Sequence, residues 1–361
     1  MTRLALVMIA RDEARCIVRA LASAKPFVDR MIVLDTGSAD ATPILAAEAG
    51  AEVFDFAWRD DFAAARNAAL DRSDAVWNLI LDADEWLDGG EAALDALTLP
   101  AAGGGFLGQA RVASQMGEGA EAAEAASWIA RVLPRGVRYE GRIHEQPASA
   151  LRTVRLPLVI GHDGYRPENL ARKGDRNETL LVAELEARPA DGYLWFQLAK
   201  EHQVRDKAAQ AALCFAEALR LSPPDEPFRH ALVVRAITAF KTADRLDDAL
   251  ALVDAEFPHW QASPDFFFAM GDLYLAVAGR DPDKAISDHL PLAEFAWKKC
   301  LELGERAELD GAVAGRGSHM PAHNLAVMYG TLGLGDLAGQ YEGLAAKLRT
   351  AADTPWRTPL A

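Results

Sequence analysis

The sequence predicts an α/β domain built on a mostly parallel sheet with flanking helices, followed by an all-α domain of helical repeats. Three observations predict it. Short apolar runs alternate with helical patterns over roughly the first ninety residues. Two of those runs, MIVL and WNLIL, are apolar without alternation, as strands covered on both faces are. Strand signals stop near Arg166, and helical patterns fill the remainder. The expected boundary gives a first domain over residues 1–168 and a second over residues 169–361.

In order, the first strand is LALVMIA, and RDEARCIVRALASAKPF carries a helical pattern after it. The strand RMIVLDTG, the helix ATPILAAEAG, the strand AEVFDFA, the helix DFAAARNAALDRS and the strand AVWNLILDADE follow. From Leu99 the composition shifts to Ala and Gly. GFLGQARVAS reads as one strand, and the stretch from Gly103 to Ala126 is otherwise expected to be a mobile loop, either a lid over a ligand or a surface insertion. Residues 129–165 read as mixed and β-rich.

The helical half has a repeat signature. Trp195, Leu198, Ala199, Ala211, Phe215, Ala218 and Pro223 fall on the spacings of a tetratricopeptide repeat, with His202 in place of the usual aromatic. Small residues let two helices approach, and large ones fill the gap between them. Weaker copies follow in ALVVRAITAFKTADRLDDALALV, in the segment opened by FFFAMGDLYLAVAG, and in AHNLAVMYGTLGLGDLAGQYEGLAAKL. A plain helical bundle is the alternative.

The formal net charge of −15 argues against a nucleic-acid binder, because phosphate contacts need clustered Lys and Arg. Three widely spaced cysteines fit no metal pattern and read as reduced core thiols. The start shows no signal peptide, and no apolar run reaches the ~18 residues of a spanning helix, so a cytoplasmic protein is expected.

The chemistry gathers at strand ends. LILDADE ends an apolar strand with Asp82, Asp84 and Glu85. On an extended segment Asp82 and Asp84 point the same way and repel unless a cation joins them. Hard oxygen ligands favour Mg²⁺ or Mn²⁺, usually shared with substrate phosphates. The stretch therefore suggests a metal-bridged diphosphate; the alternative is a solvated acidic turn. MIVLDTGSAD places Asp35 past another strand, where a carboxylate accepts from a base N–H or a ribose hydroxyl. Ser38 and Asp40 are candidate caps for the helix that includes Pro43.

MIARDE, VLDTGSAD, WRDDFAAARNAAL and LILDADE, in this order and spacing, resemble glycosyltransferase family 2, in the subgroup with a C-terminal tetratricopeptide-like domain. RYEGRIHEQ, VIGHDGY and RNETLLVAELEARPADGYLWFQLAKEH extend the resemblance over nearly the whole chain. It implies a GT-A type nucleotide-binding sheet, a nucleotide-sugar donor, most often a UDP-sugar, and a divalent metal. It implies that Asp35 contacts the uracil and that Arg11, Asp12 and Glu13 line the base and ribose. Asp82 would reach the ribose or the metal, and Asp84 the metal. Arg66 and Asn67 would sit beside the nucleotide pocket, with Asp61 at the start of their helix. One departure is Asp12, where the family commonly has Asn; an amide donor is lost and a negative charge added.

Sugar transfer needs a base opposite the diphosphate, and GRIHEQ supplies Glu145 first and His144 second. The alternative for Glu145 is a salt bridge to Arg142 or Arg138. A base makes single displacement with inversion the expected course. His162 is a candidate third metal ligand, with Asp163 its rival. Arg131 and Arg135 are candidates for the diphosphate. Trp86, ahead of Trp58 and Trp128, is a candidate for stacking on sugar or base. The repeats would bind a glycan, lipid-linked or peptide acceptor, or a second subunit. A catalytically degenerate domain acting as a scaffold is the alternative function. A nucleotidyltransferase ranks last, since MIARDEARC has no Gly-rich loop.

Overall fold

The computed structural model describes residues 2–97, 105–116, 123–163 and 176–351. The chain divides into two compact units, Met1–Leu180 and Leu181–Trp356.

The first unit is a sheet with helices. Its strands are β1 (Leu4–Ala10), β2 (Arg30–Asp35), β3 (Glu52–Asp55), β4 (Trp77–Ile80), β5 (Glu85–Gly89), β6 (Leu107–Met116), β7 (Ala123–Pro134) and β10 (Thr153–His162). A small separate ribbon pairs β8 (Arg138–Glu140) with β9 (Gln146–Ala148). The strand order in the large sheet is β3-β2-β1-β4-β7-β6-β10-β5. The pairs β3-β2, β2-β1, β1-β4 and β6-β10 run parallel; β7 is antiparallel to both its neighbours, and β5 to β10. This is the mostly parallel sheet that the unalternating apolar runs predict.

Helices α1 (Ile17–Ala24), α2 (Thr42–Glu48) and α3 (Phe62–Leu70) cover it, with a short α4 (Ala92–Asp95). Successive residues of a strand face opposite ways, so one strand feeds two cores. Leu4, Leu6 and Met8 join Ile17 and Leu21 of α1 in one cluster, while Ala5 and Val7 join Ala65 and Ala69 of α3 in the other. The parallel strands β1, β2 and β4 all end at one edge, where sheets of this kind bind ligands.

Two expectations are corrected. GFLGQARVAS is the strand expected, but the described remainder of the Gly103–Ala126 stretch is strand too, not loop: Ala113↔Ala126 and Ser114↔Ala125 pair across β6 and β7. Its Ala-rich half has the small side chains that a strand buried between neighbours tolerates. Residues 98–104 and 117–122 lie outside the described residues. EWLDG, after the acids, is strand β5, so Asp82 to Asp84 is not an extended tail but a turn, closed by Glu85 N–H donating to the Asp82 carbonyl at 3.0 Å.

The second unit is helical. Helix α5 (Arg176–Ala187), whose first turn still belongs to the first unit, leads to the hairpin α6 (Gly192–Gln203) and α7 (Ala208–Leu221). Then come α8 (Arg229–Thr242), α9 (Leu246–Glu256), α10 (Pro264–Arg280), α11 (Leu290–Leu303), α12 (His319–Thr331) and α13 (Gly335–Ala351). The repeat positions Leu198, Ala199, Ala211, Phe215 and Ala218 are all buried, as is His202. Trp195 is not; its indole N–H donates to the Pro189 carbonyl at 2.9 Å. Asp191 and Ser263 cap α6 and α10 by accepting backbone N–H bonds.

Candidate functional site

Two loops meet beside the strand edge. The Asp35 carboxylate, buried at the end of β2, accepts the N–H of Gly37 at 3.1 Å, the N–H of Ser38 at 3.0 Å and the Ser38 hydroxyl. Gly37 has φ +100°, which glycine adopts without strain. Asp40 accepts the N–H of Thr42 at 2.9 Å and of Ala14 at 3.1 Å. The Asp12 N–H donates to Ser38 Oγ at 3.0 Å, and Glu13 N–H to Thr42 Oγ1 at 2.7 Å. These bonds tie residues 11–14 to the β2–α2 loop. Asp12 sits at φ +55° and accepts the Ala39 N–H at 2.7 Å. That contact needs only an acceptor oxygen, which Asp and Asn both supply. Arg11 is exposed nearby.

The third strand end is built differently. Asp82 Oδ1 accepts Arg66 Nη2–H at 2.6 Å and Oδ2 accepts Arg131 Nη2–H at 2.9 Å. The same Arg66 donates through Nε to Glu145 Oε1, and Arg131 Nη2 also reaches Glu85 Oε1 at 2.5 Å. Glu85 Oε2 accepts the Asp82 N–H at 3.0 Å. The five side chains form a row of alternating charge: Glu145, Arg66, Asp82, Arg131, Glu85. The Asp82 side chain is 35% exposed; those of Arg66, Glu145, Arg131 and Glu85 are 9%, 8%, 7% and 2% exposed. Burial alone would raise the Asp82 carboxyl, but the two guanidiniums outweigh it and hold it well below the usual carboxylate range. Burial does raise Glu85, because Arg131 offsets only part of it. Tyr139, packed 5.5 Å from the Arg66 guanidinium, is pushed by burial up to about 12.

Asp84 is buried one turn further on. Its Oδ2 lies 3.5 Å from His162 Nε2. The other ring nitrogen, Nδ1, lies 2.9 Å from Ser114 Oγ on the neighbouring strand β6. A polar partner on one nitrogen fixes the ring and directs the other, a common arrangement behind metal-ligating histidines. Asp163, the rival ligand, is engaged elsewhere: Arg15 grips both its oxygens at 3.0 Å and Arg19 adds a bond of 2.8 Å. Burial opposes its charge, yet those bonds bring its carboxyl below the usual range. Among the described residues no three His, Cys, Asp or Glu side chains close into a metal cage. One carboxylate and one imidazole remain as the donor pair that fits a hard or borderline cation sharing its other positions with phosphate and water.

The remaining expected residues fall as follows. Asn67 spends both amide groups on the Tyr139 backbone, at 2.9 Å each. Asp61 caps α3 by accepting the Ala64 N–H at 2.8 Å. Glu145 is paired with Arg66, not with Arg142 or Arg138; the latter instead bonds Asp71. His144 sits in the β8–β9 turn at φ +51°. Trp86 lies against Gly161, where a Cβ would come within 2.3 Å of its ring, and the Arg19 guanidinium covers it at 3.7 Å. Arg135 is exposed, Trp58 bonds Asp60, and Trp128 lies under Arg155. Sequence reasoning missed the pairing of Glu85 with Arg131, Ser114 and the Arg15–Asp163–Arg19 clamp. Only the clamp left a trace, two arginines four residues apart at the head of a helix.

Residues 5–104 match the model of glycosyl transferase family 2. A TPR repeat-containing protein of Synechococcus elongatus is 33% identical over 269 residues, which are 69% of this chain and 64% of that protein. The match therefore spans just under two thirds of that relative's length. Among solved structures, glucosyl-3-phosphoglycerate synthase from Mycobacterium tuberculosis, in complex with Mn²⁺, uridine diphosphate and glucosyl-3-phosphoglycerate, is 23% identical over 31% of this chain and 44% of that one, with a TM-score of 0.26. MamA is 14% identical over 52% of this chain and 96% of that one, with a TM-score of 0.39. The described fold is a GT-A type sheet with flanking helices followed by a helical domain. No described helix is long and apolar enough to cross a membrane.

Proposed function

Since the chain carries a glycosyltransferase family 2 domain at its N-terminus, we propose that it transfers a sugar from a nucleotide-sugar, a UDP-sugar, to a hydroxyl, thiol or amine acceptor. The observation that carries this reading is the Asp84–His162 pair, oriented by Ser114 at the strand edge that also bears the Asp35 loop. The loops around Asp35 and residues 11–13 present fixed polar groups to a base and ribose. Asp84 and His162 would hold a divalent cation, Mn²⁺ or Mg²⁺. When bound, that ion supplies Lewis-acid stabilisation to the diphosphate leaving group.

The chain's own side chains do the rest. Glu145 is the base: its Oε2, the oxygen not held by Arg66, takes the acceptor's proton as the acceptor attacks the anomeric carbon. His144, its neighbour in the strained turn, is the second candidate. Arg66 orients Glu145, and Arg131 holds the acid turn from below. One base and one displacement invert the anomeric centre. The helical repeats would hold a glycan, lipid-linked or peptide acceptor, or a second copy of the chain, and the work is cytoplasmic.

A second reading draws on one observation: both Asp82 oxygens are taken by arginines. A domain that had lost catalysis and served as a scaffold would keep such internal pairs. A screen of UDP-sugars for slow hydrolysis, with and without Mn²⁺, separates the two. The transferase reading expects one sugar nucleotide to be cleaved only with metal; no cleavage of any, by a folded protein, supports the scaffold.

A further inference from the structure

The Arg66–Asp82–Arg131 arrangement leaves donors without acceptors. Arg66 Nη1 and Arg131 Nε are buried and have no hydrogen-bond partner, and the buried Tyr139 hydroxyl has none either. A buried N–H without an acceptor is costly, so such groups usually mark a missing ligand, water or ion. Of the five side chains in the row, Asp82 alone is substantially exposed. It lies over the two arginines as a lid of one carboxylate.

We propose that Arg66 and Arg131 form a seat for an oxyanion of the donor's diphosphate, and that the Asp82 carboxylate fills this seat until a cation draws it away. The inference rests on the transferase reading and deepens it. Three carboxylates face two guanidiniums in the row, leaving one net negative charge. A diphosphate arriving alone meets that charge and a seat already filled. A cation beside Asp84 offers Asp82 a different partner and, with the Asp84 carboxylate counted in, cancels the local negative charge. Asp82 then turns toward the cation, and Arg66 and Arg131 turn their Nη donors to phosphate oxygen. The guanidinium fork suits that exchange, since it binds carboxylate and phosphate with the same geometry. The order of binding is thereby set: cation first, diphosphate second.

Calorimetry with inorganic pyrophosphate on the full chain tests this. Wild-type protein should bind pyrophosphate with Mn²⁺ and show at least tenfold weaker binding in EDTA. Asp82→Asn empties the seat of its charge, so it should bind pyrophosphate in EDTA at least tenfold more tightly than wild type does. UDP should displace pyrophosphate from the wild-type complex; failure to compete would overturn the assignment to the donor. Equal wild-type affinity with and without metal, or a folded Asp82→Asn protein no better than wild type in EDTA, overturns the exchange. Should that variant not fold, wild-type NMR decides. The Nε–H signals of Arg66 and Arg131, assigned with Arg66→Lys and Arg131→Lys, should move on Mg²⁺ addition and again on pyrophosphate. Signals unmoved through both additions refute it. A chain that shows the exchange but cleaves no sugar nucleotide refutes the transferase reading alone. One that cleaves a sugar nucleotide with both signals fixed refutes the exchange alone.

Discussion

Asp35 and Asp82 occupy similar places, the one closing β2 and the other two residues past β4, at the same edge of the sheet. Their surroundings are opposite. Asp35 is satisfied within three residues, by two backbone amides and a hydroxyl of its own loop. Asp82 is satisfied by guanidiniums 16 and 49 residues away. The first carboxylate is a fixed part of a turn, and its partners cannot leave without unfolding the loop. The second is held by side chains that can trade one anion for another. The difference separates a group that shapes a pocket from a group that can respond to what enters it.

Removing one arginine should break the contrast most sharply. Arg66→Ala leaves Glu145 and Asp82 without their shared cation, a loss of about 3–5 kcal/mol for a buried pair that loses one partner. Urea unfolding of the first unit would read it, and a cost below about 1 kcal/mol would show that solvent already compensates these charges. Asp35→Ala should cost less, about 1–2 kcal/mol, because the amides it leaves can turn to water. Its cost should also hardly change between low and high salt, whereas that of Arg66→Ala should; equal salt dependence of the two would erase the distinction drawn here.

The smallest effect concerns the Asp163 clamp. Its carboxyl lies below the ordinary range in the folded protein, so its contribution is fully present above that range and lost as pH falls through the folded value. Stability curves of wild type and Asp163→Asn should therefore converge on the acid side of about pH 4. Curves that stay parallel down to about pH 2 would mean that the Arg15 and Arg19 bonds do not tune this acid.

The same contrast explains what the amino-acid order discloses. Strands β1, β2 and β4, the helix start at Asp61 and the repeat hairpin α6–α7 rest on neighbours close in sequence or on simple periodicity, and all were legible. The partners of Asp82, Glu145 and Asp163 come from other strands and helices, so only the closed sheet brings them together. Strand β5 was hidden because EWLDG is short, mixed in polarity and set at an edge. The Ala-rich first half of the antiparallel β7 between β4 and β6 was hidden too, since such a strand resembles a loop in composition.

The central claim is that Asp84, with His162, is where a cation meets the nucleotide. Calorimetry with UDP and Mn²⁺ on wild type and on Asp84→Ala tests it directly. The account predicts UDP binding by wild type only when Mn²⁺ is present, and a loss of at least a hundredfold in that metal-linked affinity for the variant, with its helical signal intact. Metal-linked UDP binding of undiminished strength in Asp84→Ala would contradict it.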